Sequence, residues 1–149
     1  MRILTTILAA VLAVAASAQT TPRWLRQNAI SPDASKIVFV YQGDLFVVPA
    51  AGGEARQLTS NPAHDTEPVW SPDGKYIIFA SWREGSKDIW AVPADGGTPL
   101  RLTTFGGRET PLTVAPDGTL YFAANIQEDP QSSVFPGDGK LYSLPLAGA

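Results

Sequence analysis

The chain has no cysteine, which excludes disulfides, thiol nucleophiles and zinc–thiolate centres together. A protein without those staples must hold itself together by packing or by closing its sheets. Histidine occurs once, as His64, so a Ser–His–Asp arrangement has a single candidate base. Ser60, Ser71 and Asp65 lie near it in sequence, but no Gly-x-Ser-x-Gly elbow is present. His64 itself falls in the turn Asn61-Pro62-Ala63-His64-Asp65 and reads as a polar loop residue. A phosphate-cradling loop is also missing, because the glycines lack a strand–loop–helix setting. Lysine and arginine are scattered singly and the formal net charge is −3, so no basic stripe points to a nucleic-acid partner.

Two carboxylate groupings suggest metal chemistry only superficially. His64, Asp65 and Glu67 fall within four positions, yet no second ligand cluster supports them. Asp73-Gly74 and Asp95-Gly96-Gly97 lack the alternating oxygen ligands of a calcium loop. The expectation is therefore no catalytic residue, no metal and no cofactor in this chain.

What is present begins with a leader. Met1-Arg2 opens an apolar stretch from Ile3 to Ala16, and Ala16-Ser17-Ala18 gives a small-x-small cleavage site before Gln19. This is the layout of a secretory signal peptide over residues 1–18. Its apolar part is shorter than the roughly 20 residues that a spanning helix needs, and no cysteine follows the site to carry a lipid. The mature protein is expected to be periplasmic or secreted, with no membrane anchor after cleavage.

The rest is repetitive. Ser31-Pro32-Asp33-Ala34 recurs as Ser71-Pro72-Asp73-Gly74 and Ala115-Pro116-Asp117-Gly118, at spacings of 40 and 44 residues. Asp44-Leu45-Phe46-Val47-Val48-Pro49 is matched by Asp88-Ile89-Trp90-Ala91-Val92-Pro93 and by Lys140-Leu141-Tyr142-Ser143-Leu144-Pro145. Gly-rich turns follow at Ala51-Gly52-Gly53, Asp95-Gly96-Gly97 and Ala147-Gly148, and Arg56-Gln57-Leu58-Thr59 is echoed by Leu100-Arg101-Leu102-Thr103.

In a Ser-Pro-Asp-Gly turn, Pro presets φ, Asp bonds back to its own backbone, and Gly takes the positive-φ position. The run Tyr76–Trp82 is apolar on both faces, as expected of a strand sandwiched between neighbouring sheets. Asp88–Pro93 is a second strand and Pro99–Thr103 a third. The short segments before the next turn, Glu67–Trp70 and Pro111–Val114, are assigned as the fourth. Phe39, Phe46, Trp70, Phe79, Trp82, Trp90 and Tyr121 fall at strand positions, where most should pack between blades. The tip Trp82-Arg83-Glu84-Gly85-Ser86-Lys87 reads as a solvated charged hairpin.

Four strands per 40–45 residues is the pattern of a propeller blade. The fold expected is all-β: about three four-stranded blades, the last incomplete, over residues 19–149, with repeats at roughly 24–70, 71–114 and 115–149. Closed propellers have roughly 4–8 blades, so the chain is read as a piece of a longer protein.

Pro68-Val69-Trp70-Ser71-Pro72-Asp73-Gly74-Lys75, followed by Ile77-Ile78-Phe79-Ala80-Ser81, resembles the propeller repeat shared by the Tol-system translocation protein TolB and tricorn-type proteases. The opening Trp24–Asp33, the phrase Tyr41–Gly53 and the insertion Glu128–Gly139 in the third repeat are similar to secreted tricorn-like serine peptidases. That resemblance implies a non-catalytic propeller that binds or channels peptides or unfolded proteins toward a protease domain lying outside this chain. The alternatives are the propeller half of a prolyl-oligopeptidase-like or amidohydrolase-like enzyme, which shares the repeat, and a TolB-like protein–protein scaffold. There a separate α/β domain precedes the propeller, whereas here only Gln19–Arg23 separate the leader from the first blade.

Overall fold

The computed structural model describes residues 24–125 and 139–146. The expected leader, most of the third-repeat insertion and the third Gly-rich turn lie outside the described residues. Among the described residues, eleven strands form three antiparallel sheets. The first contains β1 (Arg26–Ile30), β2 (Lys36–Tyr41), β3 (Asp44–Pro49) and β4 (Arg56–Gln57) in sequence order. The second contains β5 (Asp65–Trp70), β6 (Tyr76–Ser81), β7 (Asp88–Pro93) and β8 (Leu100–Arg101). The third contains β9 (Glu109–Val114), β10 (Thr119–Ala124) and β11 (Lys140–Pro145).

One expectation is corrected. The segment ahead of each Ser-Pro-Asp turn opens a sheet and does not close the one before. Val69 pairs with Ile78 and Trp70 with Ile77, so the turn is a hairpin between the first two strands of one sheet. The fourth strand is the landmark after the Gly-rich turn, and only its two residues Leu100–Arg101 join the ladder.

The repeated residues have repeated jobs. In the first two turns a serine hydroxyl (Ser31, Ser71) donates to the aspartate and accepts the next strand's first N–H, from Lys36 or Tyr76. The aspartate also accepts the N–H of Ser35 or Lys75. The third turn has Ala115 in the serine's place, so Asp117 keeps only its bonds from Thr119. The threonines of the Leu-Thr landmark brace the third strands: Thr59 Oγ1 accepts the Leu45 N–H and Thr103 Oγ1 the Ile89 N–H, each at 2.9 Å.

The core consists of two inter-sheet layers. Between the first and second sheets lie Val38, Val40, Leu45, Val47 and Leu58 against Trp70, Ile77, Phe79, Trp90, Val92 and Ala94. Between the second and third lie Ile78, Ile89, Ala91 and Leu102 against Val114, Leu120, Phe122, Tyr142, Leu144 and Leu146. Neighbours along β6 and β7 therefore point into different layers, as the period of two requires. Burying each large side chain contributes about 1.5–3 kcal/mol relative to exposure.

The outer face of the first sheet repeats the pattern. Ile30, Ile37, Phe39, Phe46 and Val48 hold the positions of Trp70, Ile77, Phe79, Trp90 and Val92. Phe39 and Phe46 stack at 5.8 Å as Phe122 and Tyr142 do at 5.7 Å. On the far side, the third sheet leaves Tyr121 and Leu141 exposed. Both outer surfaces are thus built as inter-sheet faces.

Two outcomes follow from the turns. Hydrogen bonds, that of Ser31 foremost, hold the Asp33 carboxyl down at about 2, and hydrogen bonds, that of Ser71 foremost, also lower Asp73. A carboxyl depressed on folding stabilises fully above its unfolded value and loses that contribution as pH falls through the folded one. The Asp33→Asn/Asp73→Asn variant should therefore melt lower at pH 7 and show a flatter dependence of Tm on pH between about 4 and 2. Ala34 occupies the turn's glycine position at φ +58°. Ala34→Gly should raise stability by about 1 kcal/mol, the left-handed strain of a Cβ being relieved, as read by chemical denaturation.

Candidate functional site

The first strands of the sheets, β1, β5 and β9, lie side by side and form the inner edge from which the sheets radiate. Each carries a bulge in its pairing with the second strand. At the equivalent positions Gln27 and Glu67 the bulge forces φ to +45° and +55°. That turn aims the Glu67 N–H at Gln27 Oε1, 2.9 Å away. Glu67 Oε2 then meets Lys87 Nζ at 2.6 Å, and Lys87 donates to Thr110 Oγ1 at 2.9 Å. A polar line thus crosses all three inner strands.

Lys87 belongs to the hairpin expected to be solvated, and here the structure differs. Lys87 is buried, with its ammonium 5.3 Å from the Trp82 ring centre. Arg83 folds inward to give Asp65, which has no exposed surface, hydrogen bonds of 2.8 and 2.9 Å. Its guanidinium also lies 4.9 Å from the centre of the Trp90 ring and 5.1 Å from that of Phe79. A spacing of cations on a loop carries no sign of this. The signal is the apolar strand's last residue pairing with a buried aspartate in the next sheet position.

Asp88, also fully buried, takes Arg101 at 2.6 Å. Glu109 occupies in the third sheet the place of Asp65. The Thr103 hydroxyl donates to its Oε2, while Oε1 has no partner among the described residues. Burial pushes the Glu109 carboxyl up, and the nearby Asp88 charge adds to this, against the lowering effect of Thr103.

His64 stands apart from this network. It is exposed and its ring lies over Gly43, where an added Cβ would sit 2.8 Å from Nδ1. Asp65 is committed to Arg83, Glu67 to Lys87, and the Ser71 hydroxyl to Asp73 at the opposite end of the strand. The structure therefore brings none of these together with His64 as a triad or a ligand set. Of the strand aromatics, Trp70, Phe79 and Trp90 are buried between sheets, whereas Trp82 and Tyr121 are more than one-third exposed.

His64 does line a groove of about 660 Å³ at the start of the inner strands, between the first two sheets, with Trp24, Arg26, Tyr41, Gln42 and Thr66. The Arg26 guanidinium lies 5.0 Å over the Trp24 ring, and Gln42 donates to the Tyr41 hydroxyl at 3.2 Å. Two aromatic surfaces, one cation and several amide and hydroxyl groups converge there. Such a wall can take an extended polypeptide by stacking and hydrogen bonding; it presents no nucleophile aligned with a base.

The buried pair generates a test. Arg83→Met leaves Asp65 buried and unpaired, which should cost roughly 3–5 kcal/mol. The double variant with Asp65→Ala should recover much of that loss, read as the two denaturation midpoints.

Comparison with known proteins agrees with the architecture. Residues 22–148 match the family described as the tricorn protease N-terminal beta propeller domain. The uncharacterized peptidase YuxL of Bacillus subtilis (strain 168) is 41% identical over 64 residues, covering 40% of this chain and 9% of that protein. The Tol-Pal system protein TolB of Bordetella pertussis (strain Tohama I) is 48% identical over 42 residues, covering 28% of this chain and 10% of that protein. The matches thus span about a tenth of the length of these curated relatives. In the crystal structure of the tricorn protease, 69% of this chain superposes on 11% of that chain, with a TM-score of 0.61 at 24% identity, a likeness of fold. Because the family match runs through all three sheets, this chain belongs to the tricorn protease N-terminal β-propeller family.

Proposed function

We propose that this chain is the non-catalytic propeller segment of an exported, tricorn-like serine peptidase, binding peptides or unfolded segments and channelling them to a protease domain outside the chain. The observation that carries the reading is the family match over residues 22–148, and the aromatic and polar lining of the inner-strand groove supports it. The leader layout of residues 1–18 supports export to the periplasm or beyond. The uncovered outer faces support further blades as the chain's immediate partners. No nucleic-acid partner, no cofactor and no lasting membrane anchor belong to this reading.

A TolB-like interaction propeller is the second reading, favoured by the 48% identity to TolB over 42 residues. It differs in what it demands: a partner protein in place of a hydrolysed peptide.

The test begins with the native protein from an exported fraction, detected with an antibody against residues 24–124. A band much larger than this chain, hydrolysing peptides, is expected. Trp24→Ala, at an exposed groove residue, should raise KM for those peptides at least threefold while lowering kcat far less. A full-length protein that captures a partner but cleaves no peptide would favour the scaffold.

A further inference from the structure

The two inter-sheet layers are built from equivalent positions, so differences between them can be read residue by residue. At the tight-turn end of the first layer, Trp70 fills the space between sheets and its indole N–H donates to the Ala29 carbonyl at 3.0 Å. The cleft remaining there is about 170 Å³ and mostly polar. In the second layer Val114 stands where Trp70 does, Ala91 where Val47 does, and Tyr142 where Trp90 does. Leu146, in the place of Ala94, restores only part of the volume. The result is a cleft of about 300 Å³ between the second and third sheets, at the opposite end from the His64 groove.

Its floor is apolar: Ile78, Ala91, Leu102, Val114 and Leu146. Its rim carries Asp73 and Asp117, one from each flanking turn. Asp117 takes part in no ion pair among the described residues. Asp73 is shared with Lys75 at 3.3 Å, a pair exposed on both sides and therefore weak. An apolar well with negative charge at its mouth selects a ring or chain bearing a positive charge and rejects the same ring bearing a negative one.

We infer that this cleft is a binding site for an aromatic ring adjacent to a primary ammonium, seated at the place that Trp70 fills in the first layer. The aromatic N-terminal residue of a peptide and a free aromatic amine share this chemistry. The inference stands independently of the peptidase reading, since the cleft arises from the packing of the second and third sheets alone.

The test uses the full-length protein that carries these blades, with binding followed by ligand-observed NMR and calorimetry. Tryptamine should bind at least tenfold more tightly than indole-3-acetate, which has the same ring and the opposite charge. Val114→Trp places in the second layer the residue that fills the first, so it should abolish tryptamine binding while holding or raising Tm. Asp117→Asn, at an exposed rim position, should keep the fold and reduce the preference for the cation at least threefold. The peptide Trp-Gly-Gly, compared with its N-acetylated form, separates the two sources. Binding of the free-amine peptide alone assigns the site to peptide N-termini; binding of tryptamine without either peptide assigns it to small amines. Equal affinity for tryptamine and indole-3-acetate, or tryptamine binding undiminished in a folded Val114→Trp protein, overturns the inference. So does the absence of tryptamine binding at millimolar concentration.

Discussion

The β6–β7 strand pair is apolar on both faces, and the rest of the molecule is arranged to keep it covered. Ile77, Phe79, Trp90 and Val92 pack toward the first sheet, while Ile78, Ile89 and Ala91 pack toward the third. Such a ladder cannot face water on either side without losing several of these burials at about 1.5–3 kcal/mol each. A slip of one residue in its register would exchange the two layers. The Ser71 turn at the start of β6 and the Thr103 brace at the start of β7 pin that register at the strand ends. Arg83 pins the hairpin end by tying the loop after β6 to the buried start of the inner strand β5.

Much of this was legible in the sequence because turn chemistry and strand periodicity are local. Ser-Pro-Asp-Gly announces its own geometry, and a run such as Tyr76-Ile77-Ile78-Phe79-Ala80 announces burial on both sides. What was not legible depended on pairing between segments. Whether Glu67–Trp70 closes one sheet or opens the next is set by its ladder with β6, and a repeat has no intrinsic starting point. The inward turn of Arg83 and Lys87 was hidden for a related reason. Their partners Asp65 and Glu67 come from the preceding inner strand, so the composition of the hairpin alone describes a solvated tip. The same holds for His64, whose sequence neighbours are drawn off by Arg83 and Lys87, leaving it to line a groove with Trp24 and Tyr41.

The two ends of the sheets have different characters. At the hairpin end, the line from Gln27 through Glu67 and Lys87 to Thr110 joins the inner strands by side chains, and the adjacent groove is aromatic and amphipathic. At the tight-turn end the contacts are backbone turns flanked by aspartates, and the space between sheets depends on a few positions per repeat, Trp70 and Val114 among them. The proposed peptide handling at the first end and the proposed recognition of a positively charged ring at the second are therefore separable, because no residue lines both openings.

The equivalence of the layers has an evolutionary consequence. Since Ile30, Ile37, Phe39, Phe46 and Val48 present the same arrangement that the second and third sheets present to their own neighbours, a duplicated unit arrives already complementary to whatever precedes it. Copy number can change by recombination without redesigning a contact. Each copy is then free to drift at a few positions, and the exchange of tryptophan for valine between Trp70 and Val114, with that of Val47 for Ala91, is the kind of drift that leaves a cavity in one layer while its twin stays filled.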